Sequence, residues 1–206
     1  MSQIPIPAPR SAAALMALVF AACSGGSPPA AAPVPEVSRP LSQADAEFMA
    51  GMIPHHAQAV RMARWAETHG ARSDIRILAQ RIVVAQQDEI ALVRTWLADR
   101  GLPVPPPDAT HHRMTMNGMT HDMLMPGMLT EEEMNRLDQA RGAEFDRLFL
   151  TYMIRHHQGA LAMVDKLFAS DGAGQDEVVF RFGSDVYADQ STEIERMEKM
   201  LAQLSR

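Results

Sequence analysis

Phe48-Met49-Ala50-Gly51-Met52-Ile53-Pro54-His55-His56-Ala57-Gln58-Ala59-Val60-Arg61-Met62 returns 101 residues later as Phe149-Leu150-Thr151-Tyr152-Met153-Ile154-Arg155-His156-His157-Gln158-Gly159-Ala160-Leu161-Ala162-Met163. At that offset Phe, Met, Ile, both His, Ala and the closing Met coincide, as do Asp45 and Asp146. Duplication on this scale describes two copies of one helical unit packed together. On a helix, residues three, four and seven apart share a face. Met52 precedes His55 by three and His56 by four, and Met62 follows His55 by seven; Met153, His156, His157 and Met163 repeat the arrangement. Imidazole and thioether are both donors to soft and borderline metals. Adjacent histidines point about 100° apart on a helix, so the two of a pair need not reach one ion. One such segment alone reads as core methionine beside structural histidine; its duplication favours metal.

Outward from these segments, four helices are expected. Ser42 with Asp45 three residues on resembles a capping box and starts a helix near residue 43. That helix runs to His69 and stops at Gly70. Pro54 removes one backbone hydrogen bond and predicts a kink just before His55. A second helix spans Asp74 to Arg100, ended by Gly101 and Pro103, with Ile75, Leu78, Ile82, Ala85, Ile90, Val93 and Leu97 as its apolar stripe. A third opens on the capping box of Thr130 and Glu133 and continues to Ala169, with a bend at Gly142. A fourth covers Gln175 to Leu204, using Val178, Val179, Phe182, Val186, Ile194, Met197 and Leu201. Gln86, Glu89, Ile90 and Leu97 recur as Gln190, Glu193, Ile194 and Leu201 at an offset of 104. The repeat therefore reaches the second helix of each pair. No segment beyond the N-terminal region reads as a strand, and the expected class is all-α, a four-helix bundle of two repeated hairpins.

Residues 102–129, between the hairpins, differ in kind. Pro103 to Pro107 break the helix, and then come His111, His112, Met114, Met116, Met119, His121, Met123, Met125 and Met128. Six of the sixteen methionines fall in the fifteen residues 114–128, with no helical or strand period that would bury them. A Met-rich loop is an adaptable apolar contact surface or a set of soft ligands; interleaved histidines favour capture of Cu(I), Ag(I) or Cu(II).

The N-terminus stands apart. Arg10 precedes a short apolar run from Ala12 to Ala22, which describes a secretory signal over residues 1–22. Phe20-Ala21-Ala22-Cys23 resembles a bacterial lipoprotein signal, so Cys23, the only cysteine, is the expected lipidated residue of a protein facing the periplasm or the cell exterior. Residues 23–40 are Gly, Ser, Ala and Pro with two charges, a tether to the helical domain of residues 41–206. Without residues 1–22 the chain carries 18 basic and 25 acidic residues, a net of −7. That balance argues against nucleic acid as a partner and leaves a surface attractive to cations.

The doubled Met-Ile-x-His-His, the Met-Pro-Gly-Met-Leu of residues 125–129 and Gly142-Ala143-Glu144-Phe145-Asp146 resemble the bacterial family known as domain of unknown function 305, over residues 41–204. The resemblance implies a ferritin-like four-helix bundle, exported, in a family some of whose members are associated with copper binding and resistance. Met52, His55, His56, Met62, Met153, His156, His157 and Met163 are the positions it carries over. Three functions compete. One is a copper-binding lipoprotein that sequesters metal or hands it to a partner protein. Another is a di-metal oxidoreductase, which wants two Glu-x-x-His motifs; the residues three before the paired histidines are Met and Ile instead. The last is a partner-binding helical module whose histidines satisfy a buried polar network.

Overall fold

The computed structural model describes residues 41–109, 111–116 and 119–204. The signal segment, Cys23 and the tether lie outside the described residues. Helix α1 is Gln43–Arg64, followed by a 3-10 turn at Trp65–Glu67; α2 is Ser73–Asp99, α3 Glu131–Gln139, α4 Gly142–Phe168 and α5 Glu177–Leu204. Hairpins α1–α2 and α4–α5 form the bundle, joined through the α1–α4 contact, while α2 and α5 approach each other less closely. The fold is all-α, as the helical periods imply. No helix among the described residues is long and apolar enough to cross a membrane.

Four details depart from expectation. Helix α1 ends at Arg64, and only the 3-10 turn continues toward Gly70, whose φ of 73° turns the chain into α2. The expected third helix is two: α3 stops at Gln139 and α4 begins at Gly142, which adopts φ 57°, a conformation disfavoured for residues with a Cβ. Ser42 is the N-cap of α1 but makes no side-chain cap, whereas Thr130 and Glu133 form the full capping box. Finally, residues His112–Met116 (β1) and Met119–Met123 (β2) pair as an antiparallel hairpin, where a structureless loop was expected.

Asp45 is drawn away from capping by a longer-range task. The Gly174 N–H donates to its Oδ1 at 2.7 Å, and the Arg72 N–H donates to Asp146 Oδ1 at 3.2 Å. Each repeated aspartate thus ties the start of its own hairpin to the inter-helix turn of the other. Because Asp45 at the head of α1 meets the turn before α5, and α2 starts at the far end of α1, α2 and α5 run antiparallel. Both carboxyls are raised above the ordinary range by burial, against the opposing pull of those backbone hydrogen bonds.

The core falls into two clusters along the bundle. One gathers Met62, Ile75, Leu78, Ile82, Phe145, Phe149, Met153 and Met197; the other gathers Phe48, Met52, Ile53, Ile90, Trp96, Met163, Phe182 and Val186. On α1 and on α4 the paired histidines sit at the boundary between them. Inward positions at that level are polar on the outer helices too: Gln86 and Gln190 are buried, while Ala85 and Val178, expected in the stripes, are exposed.

Candidate metal centre

His55, His56, His156 and His157 are fully buried. His55 of α1 and His156 of α4 face each other with ring centroids 3.9 Å apart, and each lies about 6 Å from its own neighbour, at 6.2 Å and 6.3 Å. The outer two turn toward the second helix of their own hairpins. His56 Nε2 lies 2.8 Å from Glu89 Oε2, and His157 Nε2 lies 2.7 Å from Glu193 Oε2. The sequence repeat is therefore a structural one, with the His55–His156 contact at its centre.

A strap closes over this centre. Pro126 O lies 3.0 Å from His55 Nε2, which donates to it. The Gln58 amide grips Leu129 at both ends, donating to its carbonyl at 2.9 Å and accepting from its N–H at 2.7 Å. The strap lies against α4 at Gly159, where a Cβ would stand 1.9 Å from Pro126 O. Only glycine permits that approach. Arg155 holds the other side with a two-pronged pair to Glu133, both contacts at 2.7 Å, so one glutamate caps α3 and anchors α4.

The electrostatics keep the inner histidines neutral. Burial, then the neighbouring His56, pushes the His55 ring down to about 3; burial and His55 push His156 well below its ordinary value. Neutral imidazole is the metal-binding form. Buried Nδ1 atoms of all four rings, and Nε2 of His156, have no protein hydrogen-bond partner. Such orphans carry a desolvation cost unless something binds them. With Nε2–H of His55 directed at a carbonyl, its Nδ1 lone pair is the free one. The donor set fits a soft or borderline ion of low coordination number. Among the described residues, no three His, Cys, Asp or Glu side chains are grouped to hold one ion.

The methionines divide. Met52 and Met163 pack in one apolar cluster, Met62 and Met153 in the other, so each also serves the core. Met125 and Met128 belong to the strap rather than to a free loop. Met125 packs toward Gly51, with its Cε 2.8 Å from where a Cβ would be, and Met128 is buried. In the hairpin the register pairs His112 with Met123, Met114 with His121 and Met116 with Met119. These rungs alternate with Arg113–Asp122 and Thr115–Thr120. His111 precedes the hairpin, half-buried. Sequence reasoning missed the strap residues Gln58, Pro126 and Gly159; the Met-Pro-Gly-Met-Leu run was their one signal.

Several solved structures share this architecture. A candidate secreted protein of Streptomyces coelicolor carrying DUF305 is 30% identical with a TM-score of 0.66, over 79% of this chain and 94% of that one. A DUF305 fragment from Deinococcus radiodurans is 26% identical with the same score, over 80% and 99%. CopM in its Cu(II)-bound form is 28% identical with a TM-score of 0.60, over 77% and 96%, and CopM is also known in Cu(I)-bound and silver-bound forms. Among curated sequences, an uncharacterised protein of Acanthamoeba polyphaga mimivirus is 36% identical over 58 residues. That match takes in 28% of this chain and spans 38% of the viral protein's length. The family model for the domain of unknown function DUF305 matches residues 45–201, and the chain belongs to that family.

Proposed function

We propose that this chain is an exported copper-binding protein that sequesters copper or passes it to a partner outside the cytoplasm. The observation carrying the proposal is the meeting of the two His-His segments, whose four buried Nδ1 atoms, with Nε2 of His156, are left without protein partners. Copper as Cu(I) or Cu(II), and Ag(I) as a chemical relative of Cu(I), suit imidazole and thioether donors in the absence of thiolate. The likeness to CopM, crystallised with all three ions, supports the same choice. His55, His56, His156 and His157 are the central ligands in this reading, with Met52, Met62, Met153 and Met163 on the same helices. His112, Met114, Met116, Met119, His121 and Met123 of the hairpin are a second set of donors in this reading. His111 leads into it, and Met125 and Met128 lie between it and the centre.

Residues 1–22 act as the export signal in this account, Cys23 as the lipid anchor and residues 23–40 as the tether. Membrane fractionation checks this part: Cys23→Ser releases the protein into the soluble fraction, and unchanged membrane association overturns it. The metal reading is checked by equilibrium dialysis of untagged protein against Cu(II), Ag(I), Ca²⁺ and Mg²⁺. Copper and silver are retained and the two hard ions, which want oxygen ligands, are not. Equal retention of Ca²⁺ and Cu(II) would contradict it.

A further inference from the structure

The inner histidines are shielded from solvent by the strap and by the apolar clusters, which raises the question of how an ion reaches them. The α2–α5 side offers a polar path. A groove of about 210 Å³ opens there, lined by Gln86, Glu89, Asp189, Gln190 and Glu193, with Arg81 and Arg196 also on its walls. Glu89 and Glu193 are about one quarter exposed, at 22% and 24%, while the rings they touch, His56 and His157, are closed to solvent. Each glutamate therefore spans from the groove to a buried imidazole.

A second observation is independent of these charges. Gln86 and Gln190 are 3% and 4% exposed, both line the groove, and both Oε1 atoms lack a protein hydrogen-bond partner. Two buried, unpaired carbonyl oxygens lining the same groove as three carboxylates are unfavourable by themselves. They become favourable when a cation passes or rests there. The crowding of like charge points the same way: burial first, and then the charges of Glu89, Asp185 and Glu193, raise the Asp189 carboxyl.

We infer that the α2–α5 groove is the port through which metal cations reach the histidine centre, with Asp189 drawing the ion in and Glu89 and Glu193 passing it to His56 and His157. This rests on the copper reading for the identity of the cargo, but not for the capture of a cation. The carboxylates do not form a closed cage, which suits passage rather than retention. An oxygen-lined port ahead of a nitrogen-lined centre also separates the two steps chemically: any divalent cation enters, and only a softer one is held.

Two measurements on the whole domain test it. In the first, Mn²⁺ is added to ¹⁵N-labelled protein, and paramagnetic broadening is mapped onto amides. Broadening centred on Gln86, Glu89, Asp189 and Glu193, and lost in Asp189→Lys, is expected; broadening spread evenly over the acidic surface overturns the port whether or not copper binds. In the second, stopped-flow uptake of Cu(II) is compared for the wild type and Asp189→Lys. Electrostatic steering into charged clefts changes association rates by about 10-fold to 1,000-fold, and charge reversal at the mouth is expected to slow uptake about tenfold. The final copper content stays the same, and the gap closes in 1 M salt as the charges are screened. Equal rates at low salt overturn the port. A wild type that takes up no copper at all overturns the copper reading instead, and the Mn²⁺ map still decides the groove.

Discussion

Replacing residues 112–123 by two glycines, and then changing His55, His56, His156 and His157 to Ala, removes nearly all copper binding in two separable steps. His112 and Met123 are register partners at the open end of the hairpin, about 5 Å apart as paired strand residues are. The excision therefore closes without stretching the bundle. It stops short of Met125 because Met125 packs in the core beside Gly51 and Pro126 holds His55; a longer deletion confuses loss of ligands with loss of the strap. Helicity and cooperative unfolding persist after the first step, since loop length changes cost little. Copper content falls but stays above zero. The second step takes the rest. Substituting His55 alone by Ala leaves Pro126 O without its donor and opens a space in the bundle, so far-ultraviolet circular dichroism of the four-fold variant must accompany its metal analysis. A folded variant that retains full copper would show that other residues bind it.

Acid weakens the metal-free protein well above the pH at which carboxylates titrate. His55 is held at about 3 and His156 well below its ordinary value, burial being the main cause in both. Unfolding returns each ring to about 6.5. Below that pH the unfolded chain binds protons that the folded chain refuses, so stability is complete above 6.5 and falls as the pH drops toward 3. Between pH 6.5 and 5 the loss from His55 alone is about 2 kcal/mol, a large part of the 5–15 kcal/mol typical of a domain. Asp45, Asp146 and Asp189, whose carboxyls are raised, act in the opposite sense and offset part of this loss. Urea midpoints at pH 7 and pH 5 check it: a clear drop is expected, and a flat profile contradicts the buried, neutral assignment. The same neutrality keeps the inner rings available to metal below pH 6, lower than free histidine permits.

How much of this was legible in the sequence varies with range. The duplication at 101 and 104 residues carried the two hairpins, because apolar periodicity and helix caps are local. It also marked Glu89 and Glu193 as recurring residues, while their pairing with His56 and His157 is a tertiary contact that only the structure shows. Gly142 signalled an interruption, but whether a helix bends or breaks depends on its positive φ, which composition does not encode. The hairpin was missed because its alternation is between donor-type residues and polar ones, not between apolar and polar, and strand reading looks for the latter. Asp45 looked like half of a capping box and instead reaches Gly174, 129 residues away. The strap was missed for a similar reason: Gln58, Pro126 and Gly159 act through tertiary approach, which leaves only a Pro-Gly behind in the chain.

The central claim is that the two His-His segments together make a soft-metal centre inside the bundle. Imidazole ¹⁵N spectra of the hairpin-less protein, titrated with Ag(I), test it most directly, because silver is diamagnetic and each ring nitrogen reports its own state. The account predicts that ring nitrogens of His55, His56, His156 or His157 shift as silver is added, Nδ1 of His55 moving while its Nε2–H remains bonded to Pro126. Silver that leaves all four rings unmoved would contradict it.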